Sequence, residues 1–269
     1  MSDLQTFRDQ IDAIDDQLIS LLKERTQIVR KVGALKTADG ENGLFIRPGR
    51  EGRMHQRIYD AFQGTGFNAE AAVGIWRLMI AASTHLESPL SLAVPSGGPW
   101  QMLAREYFGN FVPLQEYSSI TAAAGAVADG KQNIAILPWP DPDNEWWVSF
   151  SQYCRDGLHV FAALPVAEGP HGTPAALAAG YVTPEPSDSD VSYFHVSWND
   201  EGLSSSRVSS LVPGSIIRNY LAPDNTRHLL VKLERFAAAD DAAVAKLGED
   251  LPALNIRYLG AHPAPVKVA

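Results

Sequence analysis

An apolar stripe near the start of the chain limits what it can fold into. Ile11, Ile14, Leu18, Leu21, Ile28, Val32 and Leu35 follow one another at three- and four-residue steps, and Arg25 stands inside the series. That spacing puts all of them on one face of a single long amphipathic helix. Ser2 and Gln5 form a candidate capping box at its start, and the pattern runs unbroken to Lys36. Such a helix is about 50 Å long, too long for two shorter helices of the same chain to cover. A second copy is the economical cover, so the stripe predicts an intertwined homodimer. A guanidinium on that face keeps its charge and must meet an anion or cost several kcal/mol. Lys36 lies eleven positions after Arg25, about 20° around the helix. Two cations therefore share one seam, to be neutralised by carboxylates of the protein or of a ligand.

Two further helices are expected. One spans Pro48–Phe62, with proline at an allowed early position, Met54, Ile58 and Ala61 inward, and Arg50 and Glu51 in the first turn. The other spans Asn68–Glu87, with Asn68 as N-cap and Ser88–Pro89 as the stop. Its inward stripe reads Val73, Trp76, Ile80, Ser83, Glu87. All three helices thus place polar or ionic groups on inward faces.

These residues resemble a known family. Arg8-Asp-Gln-Ile-Asp-Ala-Ile-Asp-Asp-Gln-Leu, Leu22-Lys-Glu-Arg25, Val32-Gly-Ala-Leu-Lys36, Arg50-Glu51 and Ser83 with Glu87 look like the all-helical chorismate mutases, over residues 4–88. The resemblance implies an interlocked dimer of three-helix protomers, with Arg8 crossing into the partner's site. Arg25, Lys36, Arg50, Glu51, Ser83 and Glu87 would come from one protomer. Arg47 falls where many members carry an aspartate that contacts the substrate's ring hydroxyl, a departure from the family pattern.

The residue types suit the implied reaction. Chorismate rearranges to prephenate in a unimolecular [3,3] step that needs no nucleophile, metal or redox cofactor. The catalyst must hold a dicarboxylate in its compact shape and stabilise charge on the ether oxygen. Arg8 and Arg25 are assigned to the carboxylates, because a guanidinium fork matches a carboxylate bidentately. Lys36 would donate to the ether oxygen, and Glu87 would be a second donor if protonated. Glu51 would accept from the ring hydroxyl, Ser83 would support a carboxylate, and Arg50 would complete the charge balance. The catalytic set is Lys36, Glu87 and Arg25, with no cofactor and no metal.

Composition bears on location and partners. The start Met-Ser-Asp-Leu-Gln lacks signal-peptide features, and no apolar run approaches membrane-spanning length. A cytoplasmic enzyme without a membrane is expected. The net charge of −9 argues against nucleic acid and makes the cationic seam a local feature able to steer a dianion. Cys154, the only cysteine, reads as core. The seven histidines show no ligand spacing.

After Pro89 the pattern changes. Strands near 90–94, 111–115, 133–137 and 158–164 alternate with helices near 100–108, 121–128 and 144–154, which implies an α/β lobe over 90–180 with a largely parallel sheet. Its place and Tyr107-Phe108-Gly109 resemble the first lobe of prephenate dehydratase. Gly98, Pro99 and Trp100 replace the expected hydroxyl residues, and Ser192-Tyr193-Phe194 is the nearest echo of that family's catalytic Thr-Arg-Phe. The lobe reads as degenerate. A Gly/Pro/Ser-rich stretch, 167–190, reads as a linker. Residues 185–269 then give β-α-β-β-α-β, a ferredoxin-like order similar to an ACT regulatory domain, with Asn219-Tyr-Leu-Ala-Pro223 in place of that family's effector motif.

The reading is a homodimeric chorismate mutase of aromatic amino-acid biosynthesis, with a mutase domain over 1–88, the α/β lobe and the ACT-like domain. The alternatives are a bifunctional mutase–prephenate dehydratase, an isochorismate pyruvate-lyase and a non-catalytic sensor of an aromatic metabolite.

Overall fold

A computed structural model describes residues 3–38, 43–167, 174–199 and 202–268. Ser2, half of the expected capping box, lies outside them. Helix α1 (Asp3–Ala38) is continuous over 36 residues. Helix α2 (Pro48–Phe62) has the expected bounds. Helix α3 (Ala69–Glu87) is capped by the Asn68 side chain, which accepts from the Ala71 amide at 2.7 Å.

The expected buried stripe of α1 is open to solvent in the single chain. Ile11, Ile14, Leu18, Leu21, Ile28, Val32 and Leu35 are all exposed, and Gly33 is the buried residue of this helix. Gly33 sits against Glu87, where a Cβ would come within 3.2 Å of its side chain. On α3 the buried line is Ala72, Val73, Arg77, Ala81 and Thr84, whereas Trp76, Ile80, Ser83 and Glu87 are half-buried. The expected α3 stripe is thus displaced around the helix. Its deeper face turns toward α2 and the sheet, and its polar edge turns toward α1.

Beyond the helices the described residues form one mixed nine-stranded sheet. Strands β1 (Leu92–Pro95), β2 (Leu114–Tyr117) and β3 (Ile134–Pro138) are parallel, joined through α4 (Trp100–Phe108) and α5 (Ile120–Ala128). The lobe is largely parallel as expected, but its next strand in the sheet runs against the others. Strand β5 (Ala176–Gly180) lies antiparallel between β3 and β4 (His159–Leu164). It comes from the stretch read as linker, of which 168–173 lie outside the described residues. Its Ala-Leu-Ala-Ala-Gly sequence has little β-propensity but suits a strand buried on both faces, and all five residues are buried. Helix α6 (Trp146–Tyr153) covers this part.

The last part has the expected β-α-β-β-α-β order: β6 (Asp190–Asn199), α7 (Ser205–Leu211), β7 (Ser215–Leu221), β8 (Thr226–Leu233), α8 (Ala242–Asp250) and β9 (Asn255–Pro263). It is continuous with the rest of the sheet through β9, which pairs antiparallel with β6 and parallel with β4 at Val160 and Gly260. Gly260 has φ +130°, and a Cβ there would lie 2.2 Å from the Val160 carbonyl oxygen. Leu259 is an extra residue at a bulge beside it, which bends β9 between its two neighbours.

The helices rest on this sheet assembly through α2. A Cβ on Gly49 would lie 2.2 Å from the Pro186 carbonyl oxygen. Arg53 donates to that oxygen at 2.8 Å, and Arg47 pairs with Glu185. Past β9 the chain returns so that Val266 packs with Ile58, Tyr59, Ala72 and Val73.

Three buried histidines make stability depend on pH. Burial is the main cause that lowers His55 to about 3, His195 to about 3 and His262 to about 4. His262 is suited to the neutral form: one ring nitrogen meets the Pro263 carbonyl at 2.7 Å and the other the Tyr193 hydroxyl at 3.1 Å. In the unfolded chain each imidazole takes up its proton near pH 6.5, whereas the folded chain resists until about pH 3–4. Stability is therefore full above about pH 6.5 and falls toward pH 4, by about 1.4 kcal/mol per pH unit for each histidine. Urea midpoints measured at pH 7.5, 6.0 and 5.0 are expected to fall in that order. A constant midpoint would show that these rings protonate in the folded state.

Candidate active site

Helices α1, α2 and α3 enclose a cavity of about 520 Å³. Arg25 and Lys36 reach it from α1, Arg50 and Glu51 from the first turn of α2, and Ser83 and Glu87 from α3. Six of the seven expected site residues thus meet around one space. Arg8 does not line it. It is exposed and stands seventeen residues before Arg25, about 25 Å along the helix axis. No bend of its own side chain spans that distance.

Hydrogen bonding fixes several of these groups. Arg25 donates through Nη1 to the Ser83 hydroxyl, which in turn donates to the Met79 carbonyl at 2.8 Å. Ser83 therefore orients the guanidinium, a role beyond the expected support of a ligand carboxylate. Lys36 Nζ lies 2.9 Å from Glu87 Oε2 and 4.5 Å from the centre of the Phe45 ring. The two groups assigned as donors to the ether oxygen are thus paired with each other.

Glu51 is held from behind. Its Oε2 accepts from Nη1 of Arg77, an arginine only 3% exposed that does not line the cavity. Arg47 does line it, but its Nε is tied to Glu185. Arg77 and Phe45 were missed in the sequence reading. For Arg77 a signal existed: Val73, Arg77, Ala81 and Thr84 repeat at four, four and three residues, a second face of the same helix. Phe45 sits in a loop with no periodicity to mark it.

The cations around the cavity differ in their partners. Among the described residues Lys36, Arg47 and Arg77 each have a carboxylate partner, whereas Arg25 and Arg50 form no ion pair. Burial and then the Arg50 charge push the Arg25 guanidinium below its ordinary value, with Glu87 acting in the opposite sense. Since arginine stays protonated, this is a half-desolvated positive site with no ion-pair partner among the described residues, suited to a carboxylate. The described residues hold no cluster of three or more potential metal ligands, and none of their helices is long and apolar enough to cross a membrane.

Residues 7–88 match the chorismate mutase type II family. The chain is also similar to the bifunctional chorismate mutase/prephenate dehydratase of Pseudomonas aeruginosa, 31% identical over 140 residues, covering 50% of this chain and 38% of the relative. A protein of the same description from Aquifex aeolicus is 31% identical over 143 residues, covering 51% of this chain and 39% of the relative. The chain thus spans well under half the length of these relatives in the match. Both aligned stretches are longer than the whole chain up to residue 88, so the similarity continues past the mutase type II segment. Among solved structures, prephenate dehydratase from Streptococcus mutans superposes with a TM-score of 0.47 at 14% identity, covering 66% of this chain and 100% of that one.

Two arginines in this segment should behave in opposite ways. Arg25→Met removes an unpaired charge facing the cavity, so stability to urea is expected to hold or rise. Arg77→Met leaves Glu51 without its cation and is expected to cost about 3–5 kcal/mol. Equal losses in the two variants would show that Arg25 is neutralised within the fold.

Proposed function

We propose that this chain is a chorismate mutase that converts chorismate to prephenate in aromatic amino-acid biosynthesis. The observation that carries the reading is the convergence of Arg25, Lys36, Arg50, Glu51, Ser83 and Glu87 on one cavity in which two arginines have no anion. Arg25, oriented by Ser83, takes one carboxylate of the substrate. Arg50, close enough to Arg25 to lower its proton affinity, completes the cationic wall. Lys36 donates to the breaking ether oxygen, where negative charge grows as the carbon–oxygen bond opens. Glu87 holds Lys36 and shares it with the substrate. Glu51, fixed by Arg77, accepts from the ring hydroxyl. The residues act by positioning and charge, and the substrate's own electrons make and break the bonds.

The second carboxylate is assigned to Arg8 of a partner chain. The uncovered stripe of α1 supports this, because an apolar face of that length is costly in water. An antiparallel second α1 would carry its own Arg8 toward this cavity. The βαββαβ part is read as an ACT-like domain and the lobe before it as a degenerate dehydratase-like lobe. Ser192, Tyr193 and Phe194 are buried in β6, and Ser192 Oγ is engaged with the backbone of Arg235 and Ala237. That placement disfavours a dehydratase role for them.

Following chorismate loss with prephenate and phenylpyruvate measured separately tests the reading. Prephenate is expected without phenylpyruvate. Pyruvate release would indicate a lyase, and binding without turnover a sensor. Arg25→Ala is expected to lower kcat/KM by at least about a hundredfold, the worth of one charge-assisted hydrogen bond near the upper end of its range.

The shared site has its own test. Arg8→Ala and Arg25→Ala chains, each inactive alone, are expected to regain activity when mixed, because one site per heterodimer then holds both arginines. Verified subunit exchange with no recovery rules the crossing out.

A further inference from the structure

We propose that Arg77 is a positioning residue for Glu51, and that Tyr107 of α4 holds Arg77 in place, so that the sheet-bearing part of the chain sets one wall of the mutase cavity. The inference rests on the chorismate mutase reading and adds a residue and a region to it.

Arg77 projects from the deep face of α3, away from the cavity that Ser83 and Glu87 line. It reaches Glu51 from behind through a hydrogen-bonded ion pair. A carboxylate in the first turn of α2 has several rotamers open to it. A buried guanidinium on one of its oxygens selects one of them and leaves the other oxygen to a ligand hydroxyl. The opposite side of Arg77 is closed by Tyr107, whose ring centre lies 4.6 Å from the guanidinium carbon. Tyr107 is itself buried. Stacking on an aromatic face is a use that arginine serves and lysine does not. His55, also buried on α2, is kept neutral by burial and by the Arg77 charge, so it does not compete as the cation for Glu51.

The chain of contacts therefore runs from cavity to sheet: Glu51, Arg77, Tyr107, with Tyr107 in the helix between β1 and β2. The residues before Pro89 contain the groups that face the cavity, but the group that fixes Glu51 is itself fixed from outside that segment.

A double-mutant cycle on the full chain tests this, with melting temperature recorded for every variant. Arg77→Gln is expected to lower kcat/KM for chorismate by about tenfold or more in the native background and by less than about twofold in Glu51→Gln. A merely structural arginine would cause the same loss in both backgrounds, and that result overturns the proposal. Tyr107→Ala is expected to lower kcat/KM several-fold in the native background with no further loss in Glu51→Gln, while Tyr107→Phe, which keeps the ring, stays near native. A native-like Tyr107→Ala overturns the role of the sheet-bearing part.

Should Arg77→Gln fail to fold, Arg77→Lys replaces it in the cycle. It keeps the charge but loses the fork and the stacking plane, and an activity equal to native would overturn the proposal. If the native chain consumes no chorismate, the reading of function fails. Crystals of Arg77→Lys and Tyr107→Ala then decide this point alone: a Glu51 carboxylate turned from its native rotamer supports it, and an unmoved one overturns it.

Discussion

Neutralising arginine charge inside a helical pack is the constraint on which the rest of this structure depends. Two guanidiniums are drawn out of bulk water, and the chain treats them differently. Arg77 receives a carboxylate of its own, from Glu51, and an aromatic plane from Tyr107. Arg25 receives a serine hydroxyl, which orients it without cancelling its charge. Because a buried charge is tolerated only where its partners are well placed, the first arrangement fixes helices α2 and α3 against each other. The second leaves a positive site open to the cavity. Structure and chemistry thus use the same residue type on neighbouring helices, separated by what each one faces.

The sheet matters to the site because α2 has little freedom on its own. Gly49 allows the backbone at 186 to approach where a side chain would collide. Arg47 and Arg53 bind the same segment, and Val266 closes over the far end of the helix pair. Arg50 and Glu51 sit in the middle of this docked turn. Their position is therefore set partly by residues more than a hundred positions away. The sheet has a narrow joint of its own, where Gly260 and the bulge at Leu259 let β9 serve both β6 and β4. A side chain at that point would meet the Val160 carbonyl.

The helices were legible because their periodicity is long and their stops are chemically marked: Pro48 opens α2, Asn68 caps α3 and Ser88–Pro89 ends it. Arg25, Ser83 and Glu87 could be named for a related reason, since a polar group on an apolar stripe is visible without coordinates, and Lys36 by its angle from Arg25, whereas Arg50 and Glu51 rested on the family resemblance. Strand β5 was not legible. Small residues give no alternation to read, and its identity as a strand comes from β3 and β4, which flank it. Strand direction is a property of pairs, so the one antiparallel member of the otherwise parallel lobe carries no mark in the sequence.

By itself the sequence determined the three helices, the cationic seam within them and the βαββαβ order of the last part. Each of these is local, decided by spacing along one element or by capping chemistry within a few residues. Only the tertiary structure decided which face of α3 is deepest, that Arg77 stands behind Glu51, that Lys36 and Glu87 meet, and that both halves after Pro89 share one sheet. Those facts depend on which surfaces come together across long stretches of chain. Burial and ion pairing respond to that proximity, and no spacing within one helix encodes it.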